Sequence, residues 1–167
     1  MNSFVSFTVL MKKKIGYICI CISCLLFASC TDEYTICDQP RSVNFGGAFY
    51  KNTSGIDVET PVSSLSIRPA NTSAYIYDRQ PGLSRFSFAL DPGKDSAKYI
   101  ISTSIAAPED TVTLYYTSKT VNLSPQCGNI TEHSLNNART TVHSLKSVTI
   151  TKASVDNISA VNLKVYF

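Results

Sequence analysis

Apolar and polar residues alternate along most of the chain from residue 41 onward. The alternation is clearest at residues 86–90, 112–116 and 161–167, where an apolar side chain stands at every second position. Weaker alternation occurs at residues 43–49, 62–67, 75–77, 99–104, 119–123, 130–134 and 148–151. A period of two places apolar side chains on one face of a half-buried strand, and the β-branched and aromatic residues found here favour strands. These runs predict short β-strands and no long amphipathic helix.

Residues that favour turns separate the predicted strands. Clusters of Pro, Gly, Asn and Asp occur at residues 52–55, 80–82, 91–93, 108–110 and 125–128. These residue types end strands because they adopt turn conformations readily. Short strands with a turn about every ten residues are typical of a β-sandwich. We therefore predict an all-β, helix-poor fold over residues 41–167, a single small β-sandwich that is immunoglobulin-like or related.

The segment before residue 30 has a different pattern. Lys12, Lys13 and Lys14 precede an uncharged, mostly apolar run of 14 residues, and polar residues 31–33 follow. A secretory signal has an apolar region of about 7–15 residues, whereas a membrane-spanning helix needs about 20. We predict a cleaved signal peptide at residues 1–29. Because residues 1–10 carry no charge, we expect translation to start at Met11.

The end of this segment resembles a bacterial lipobox. Phe27, Ala28 and Ser29 precede Cys30, with Phe27 at the position where Leu is usual. Small residues fit a signal peptidase, and the Cys30 thiol would carry the diacylglyceryl group, with acyl chains such as palmitate. We predict lipidation at Cys30, a tether at residues 30–40 and attachment to the outer membrane, facing the cell surface or the periplasm. An ordinary secretory signal before a chance cysteine is the alternative.

Charge excludes one class of partner. The net charge of +3 comes from the three signal lysines, and the remaining chain has 12 basic and 12 acidic residues. It contains no cluster of basic residues, which nucleic-acid binding requires. We therefore expect no nucleic-acid partner; the membrane is reached through the lipid anchor, and a protein or glycan partner is left open.

Cysteine usage predicts one disulfide. Once the signal is removed and Cys30 is lipidated, only Cys37 and Cys127 remain. In an oxidising compartment two such cysteines are expected to pair. A zinc site would need four ligands at close spacing, and His133 and His143 lie in separate segments. We predict the disulfide and no metal.

Catalytic motifs are absent from the sequence. It contains no G-x-S-x-G elbow, no H-E-x-x-H pair and no glycine-rich phosphate loop. We therefore assign no catalytic residue and no cofactor. A non-catalytic binding or envelope-structural role is favoured. A hydrolase whose Ser, His and Asp meet only in space is the less favoured alternative.

Two tyrosines suggest a second candidate function. Tyr75 and Tyr77 lie at alternate positions of a predicted strand and would share one face. Tyrosine rings can stack on sugars, which suggests a glycan-binding accessory module. Ordinary cross-strand packing of the two rings is the simpler interpretation.

Several motifs together resemble a known group of proteins. They are Cys30 with Cys37 close behind, and residues 115–116, 124–128, 148–150 and 162–167. In these the chain resembles the small lipoproteins of Bacteroidetes that are grouped as domain-of-unknown-function family 6452. The family has no established activity, so the resemblance implies a location and not a mechanism.

That resemblance suggests two further signals. Residues 31–33 resemble the acidic signal that directs such lipoproteins to the cell surface. Residues 95–97 and 110–112 resemble the O-glycosylation pattern of Asp, then Ser or Thr, then a small or apolar residue. The acceptors would be Ser96, in a predicted turn, and Thr111, at the start of a predicted strand.

Overall fold

The computed structural model describes residues 36–167. Within them the chain forms no helix, and about 54% of the residues lie in strands of two sheets. None of the described segments is a helix with the length and hydropathy to span a bilayer. The predicted signal peptide, its start at Met11, and Cys30 lie outside the described residues.

Eleven strands follow one another in the described range. They are β1 (Phe45–Thr53), β2 (Ile56–Glu59), β3 (Leu65–Pro69), β4 (Tyr77–Gln80), β5 (Arg85–Phe88), β6 (Ser96–Ser102), β7 (Asp110–Ser124), β8 (Gly128–Thr140), β9 (Ser147–Ile150), β10 (Ser154–Val155) and β11 (Leu163–Tyr166). Strands β2 and β10 were not predicted from the alternation. The runs predicted at 112–116 and 119–123 form one strand, β7.

The strands assemble into two sheets. Sheet 1 has the order β2-β1-β11-β9, and β5 also pairs with β1. Strand β1 is parallel to β11 and antiparallel to β2 and β5. Sheet 2 has the order β10-β8-β7-β6-β3-β4, and its neighbouring strands are antiparallel. The predicted all-β, helix-poor class is confirmed, and the two sheets are consistent with a small β-sandwich.

Aromatic rings fill much of the core. Phe45, Phe49, Phe86 and Phe88 project from β1 and β5 of sheet 1 and are buried. Their ring centroids lie 5.3 to 6.3 Å apart in neighbouring pairs. Phe88 also meets Tyr99 of sheet 2, with 4.5 Å between the centroids. Such pairs add about 0.5–1.5 kcal/mol each beyond area burial, so this cluster helps to join the sheets.

Two consecutive glycines allow a close approach at the centre of sheet 1. A Cβ atom at Gly47 would overlap the Phe86 ring, and one at Gly46 would overlap the carbonyl oxygen of Ala160. Gly46 also donates its N–H to the Asn162 side chain at 3.0 Å. Glycine at both positions therefore lets Phe86 and the segment before β11 lie directly on β1.

Asp110, the first residue of β7, organises the loop between β8 and β9. Its side chain is fully buried. One carboxylate oxygen accepts hydrogen bonds from the Thr141 hydroxyl and from the backbone N–H and Nδ1 of His143. The other accepts from the backbone N–H and hydroxyl of Ser144 and from the N–H of Leu145. These contacts hold the loop at distances of 2.7 to 3.1 Å.

The same bonds keep Asp110 ionised. Burial alone raises its pKa, but the N–H groups of Leu145, His143 and Ser144 and the Thr141 hydroxyl outweigh burial and hold the pKa well below its usual range. A carboxylate with several such donors is strongly stabilised in its charged form.

The predicted disulfide between Cys37 and Cys127 is present. The two Cα atoms are 4.9 Å apart, and the cysteines are separated by 90 positions in the chain. Cys127 lies in the turn between β7 and β8, where its N–H donates to the Ser124 hydroxyl at 3.0 Å. The disulfide therefore joins the segment before β1 to the tip of the β7–β8 hairpin.

Reduction of this disulfide should strongly destabilise the domain. Closing a loop of this length stabilises a fold by about 4–5 kcal/mol in the chain-entropy model. We expect the free energy of unfolding, measured by urea denaturation, to fall by about that amount with reductant or in Cys37→Ala/Cys127→Ala. The same reductant should leave the stability of the double variant unchanged. Equal stability of the oxidised and reduced protein would contradict this.

Asp110→Asn should destabilise the fold by about 2–4 kcal/mol, because an amide cannot accept all of these bonds. The folded pKa of Asp110 lies below the unfolded value of about 3.9, so its contribution is complete above that pH and is lost as the pH falls through the folded pKa. Urea denaturation from pH 7 to 2 should show a smaller acid-induced loss in the variant. Asp78→Asn, at an exposed carboxylate, is the control and should match the wild type.

Candidate binding groove

A groove of about 740 Å³ lies between two loop regions of the domain. One wall comes from the loop between β3 and β4 and includes Asn71, Thr72 and Ile76. The other wall comes from the segment that follows β5 and includes Leu90 and Lys94. The volume falls within the range of about 300–1,000 Å³ that is typical of small-molecule sites.

Local turn chemistry shapes both walls. The Asp91 carboxylate accepts the N–H of Gly93 at 2.9 Å, and the Asp91 carbonyl accepts the N–H of Lys94 at 3.3 Å. On the opposite wall the Thr72 hydroxyl accepts the N–H of Ala74 at 2.8 Å. These Asx- and Ser/Thr-type turns are what Asp, Gly and Thr favour, so the walls are fixed by local sequence.

Tyr99 of β6 lines the groove and is only 6% exposed. Its hydroxyl makes no hydrogen bond to a side chain in the part of the chain that the structure describes. Every fully buried side-chain nitrogen or oxygen in that part has a partner, so this hydroxyl is not fully enclosed, and the residue that carries it lines the groove. Burial, with smaller effects from Tyr116 and Asp91, raises the pKa of Tyr99 to about 12. The phenol is therefore neutral at physiological pH.

An ion pair stands beside Tyr99. The Lys94 ammonium lies 3.1 Å from the Asp91 carboxylate, and both side chains are about half exposed. Hydrogen bonds from the Gly93 N–H and from Lys94 lower the pKa of Asp91. The groove thus presents one carboxylate and one ammonium that balance each other, next to the neutral phenol.

Two backbone N–H groups beside the groove are already paired. The N–H of Ala70 donates to the carbonyl of Lys98, and the N–H of Ile76 donates to the carbonyl of Ile67, both at 2.8 Å. These two N–H groups are therefore not available to a ligand.

The two predicted stacking tyrosines do not form a common platform. The expectation that they share a strand face is wrong, because β4 begins at Tyr77 and Tyr75 precedes it in the loop. Tyr75 is 48% exposed, and its stacking on a ligand stays a prediction. The Tyr77 hydroxyl donates to the carbonyl of Ser87 at 3.1 Å and accepts its N–H at 3.0 Å. Tyr77 thus connects β4, at the edge of sheet 2, to β5 of sheet 1.

The predicted glycosylation acceptors both lie in strands. Ser96 begins β6 and is half-buried, so its placement in a turn is wrong; its hydroxyl donates to Asp95 at 3.1 Å. Thr111 lies near the start of β7, as expected, and is half-buried. The preceding Asp110 is fully buried and holds the β8–β9 loop. Glycosylation at either residue stays a prediction.

Within the part of the chain that the structure describes, neither histidine forms a Ser–His–Asp relay. His133 is buried, its Nδ1 lies 2.9 Å from the Ser118 hydroxyl, and burial lowers its pKa. His143 binds Asp110, but Ser144 donates its hydroxyl to that same carboxylate and not to the imidazole. Among residues 36–167, no group of three His, Cys, Asp or Glu side chains is placed to hold a metal ion.

A second polar cluster lies on the outer side of sheet 1. Asp57 accepts hydrogen bonds from Tyr166, Asn52 and Lys164 at 2.7 to 3.0 Å, which lowers its pKa to about 2. Lys164 also lies 4.7 Å from the centre of the Tyr50 ring. These groups satisfy one another, so the open groove at Tyr99 is the better candidate for a binding site.

The site residues Tyr99, Asp91 and Lys94 were not predicted. The sequence marked Asp91 only as part of a turn, and Tyr99 only as the start of a weakly alternating run. One sequence signal could have found Tyr99: it stands at a predicted inward-facing strand position. A tyrosine hydroxyl buried there needs either a hydrogen-bond partner or access to solvent.

The fold and the groove define a small all-β domain with one disulfide and a side-chain-lined surface cavity. The chain belongs to a family of unknown function, DUF6452, whose model matches residues 64–167. That range includes β3 to β11, the groove and Cys127. Neither a curated protein nor a solved structure matches the chain.

Tyr77→Phe should reduce stability by about 1–2 kcal/mol, because it removes both hydrogen bonds to Ser87. Tyr75→Phe is the matched control, since the Tyr75 side chain is exposed, and its effect should stay within about 0.5 kcal/mol. Both are measured by urea denaturation. Equal effects of the two variants would show that Tyr77 does not connect the sheets as described.

Proposed function

We propose that this protein is a lipid-anchored lipoprotein of the outer membrane whose β-domain binds a partner and does not catalyse a reaction. The observation that carries this proposal is the Cys37–Cys127 disulfide. Disulfides persist in oxidising compartments and are rare in the cytosol. This one begins seven residues after the lipobox cysteine, Cys30, so the tether leads directly into a covalently secured domain.

The anchor and the disulfide have complementary roles in this proposal. Two or more acyl chains on Cys30 would hold the protein stably in a bilayer, because each buried CH₂ contributes about 0.8 kcal/mol. The seven residue-to-residue steps from Cys30 to Cys37 span at most about 25 Å when fully extended. The domain would therefore stay close to the membrane surface, with the disulfide holding its N-terminal segment on the β7–β8 hairpin.

Glycan binding at the cell surface is the second candidate function. The specific observation in its favour is the groove at Tyr99, which combines an open phenol hydroxyl with a balanced ion pair. Glycan binding requires a ligand, whereas an envelope-structural role does not. A catalytic role has less support, because among the described residues neither histidine forms a relay with a serine and a carboxylate.

Metabolic labelling with palmitate in the native host tests the anchor. The wild-type protein should be labelled and should fractionate with membranes, and Cys30→Ala should lose both properties. Cys24→Ala is the matched control, because it removes another cysteine of the signal segment and should keep the label. An unlabelled wild-type protein, or labelling that survives Cys30→Ala, would refute the proposal.

A further inference from the structure

We propose that the groove at Tyr99 is a binding site for one or two sugar units of a neutral glycan. This assignment rests on the binding role proposed above. The Tyr99 hydroxyl would meet a sugar hydroxyl at the base of the groove. Asp91 and Lys94 would bind neighbouring hydroxyls beside it. The apolar side chain of Ile76, which is 39% exposed, would pack against the C–H face of the ring.

Tyr99 is the residue that points to a ligand. Tyr99 is more than nine-tenths buried and lines the cavity, yet its hydroxyl has no partner among the described side chains and is not fully enclosed. A polar group in such a position needs a hydrogen-bond partner from water or from a ligand. A phenol both donates and accepts, as a sugar hydroxyl does, so each can satisfy the other.

The ion pair favours a neutral, hydroxyl-rich ligand. Vicinal hydroxyls can donate to the Asp91 carboxylate and accept from the Lys94 ammonium at the same time, and charge-assisted hydrogen bonds are the strong ones. Lys94 and Asp91 balance each other at 3.1 Å. A charged ligand would have to separate them and leave one charge without its partner.

The paired backbone disfavours a peptide as the occupant. An added peptide strand needs a free row of N–H and C=O groups. Ala70 and Lys98 pair with each other here, and Ile76 pairs with Ile67. Tyr77 occupies the N–H and the carbonyl of Ser87 on β5. A small ligand recognised by side chains fits this groove better than an extended main chain.

Titration calorimetry on the full protein, purified from its native membrane in detergent, tests the site. The probes are maltose, cellobiose, mannobiose, lactose and diacetylchitobiose, with digalacturonate as the acidic probe and trialanine as the peptide probe. We expect binding of at least one neutral disaccharide, and we expect Tyr99→Phe to weaken it about three- to tenfold. Tyr115→Phe, on β7 and outside the groove lining, is the matched control and should bind as the wild type does.

Lys94→Gln gives an independent variant should Tyr99→Phe fail to fold, because Lys94 is half exposed and its loss leaves the core intact. It should also weaken binding. The site is refuted if no neutral disaccharide binds, if digalacturonate or trialanine binds more tightly than every neutral probe, or if binding is unchanged in a folded groove variant. Palmitate labelling at Cys30 does not depend on the groove, so a labelled protein that binds no sugar refutes this site and leaves the anchored role intact.

Discussion

The disulfide between Cys37 and Cys127 is the constraint on which the rest of the domain depends. It joins the segment before β1 to the tip of the β7–β8 hairpin, and this hairpin lies inside sheet 2. At the opposite end of the hairpin the buried carboxylate of Asp110, at the start of β7, holds the loop that leads from β8 into β9 of sheet 1. One covalent bond and one buried charge therefore secure both ends of β7.

The groove depends on this arrangement through β6. Strand β6 pairs with β7 from Ser96 to Ile101, and Tyr99 lies within this paired region. On its other side β6 pairs with β3, whose following loop forms a groove wall. The ring of Tyr99 packs on Phe88 of sheet 1, and Tyr99 also lines the groove. The position of this hydroxyl is thus set by contacts with both sheets.

Most strands could be predicted from the sequence because alternation is a local property of a half-buried strand. The disulfide could also be predicted, because Cys37 and Cys127 are the two cysteines outside the predicted signal peptide and the predicted lipidation site. Local alternation does not show which strands pair when they are distant in the sequence. Strand β2 pairs with β1 across a two-residue turn and was missed because its four residues are too few for a clear pattern; β10 has only two residues. The two runs predicted at residues 112–116 and 119–123 form the single strand β7, which pairs with β8 over both.

The candidate site was less predictable for the same physical reason. Asp110 matched a short glycosylation pattern, but its hydrogen-bond partners lie more than 30 residues further along the chain. Tyr77 looked like a free stacking ring, and only the contact between β4 and β5 shows that its hydroxyl is engaged by Ser87. Tyr99 carries no motif, because its importance arises from burial on one side and an opening on the other.

The intact mass of the unreduced protein, extracted from its native membrane, tests the central claim most directly. The account predicts a chain that begins at Cys30, is heavier by an acylated glyceryl group and is lighter by two hydrogens for the Cys37–Cys127 disulfide. An unmodified chain that keeps the residues before Cys30, or one in which both thiols are free, would contradict it.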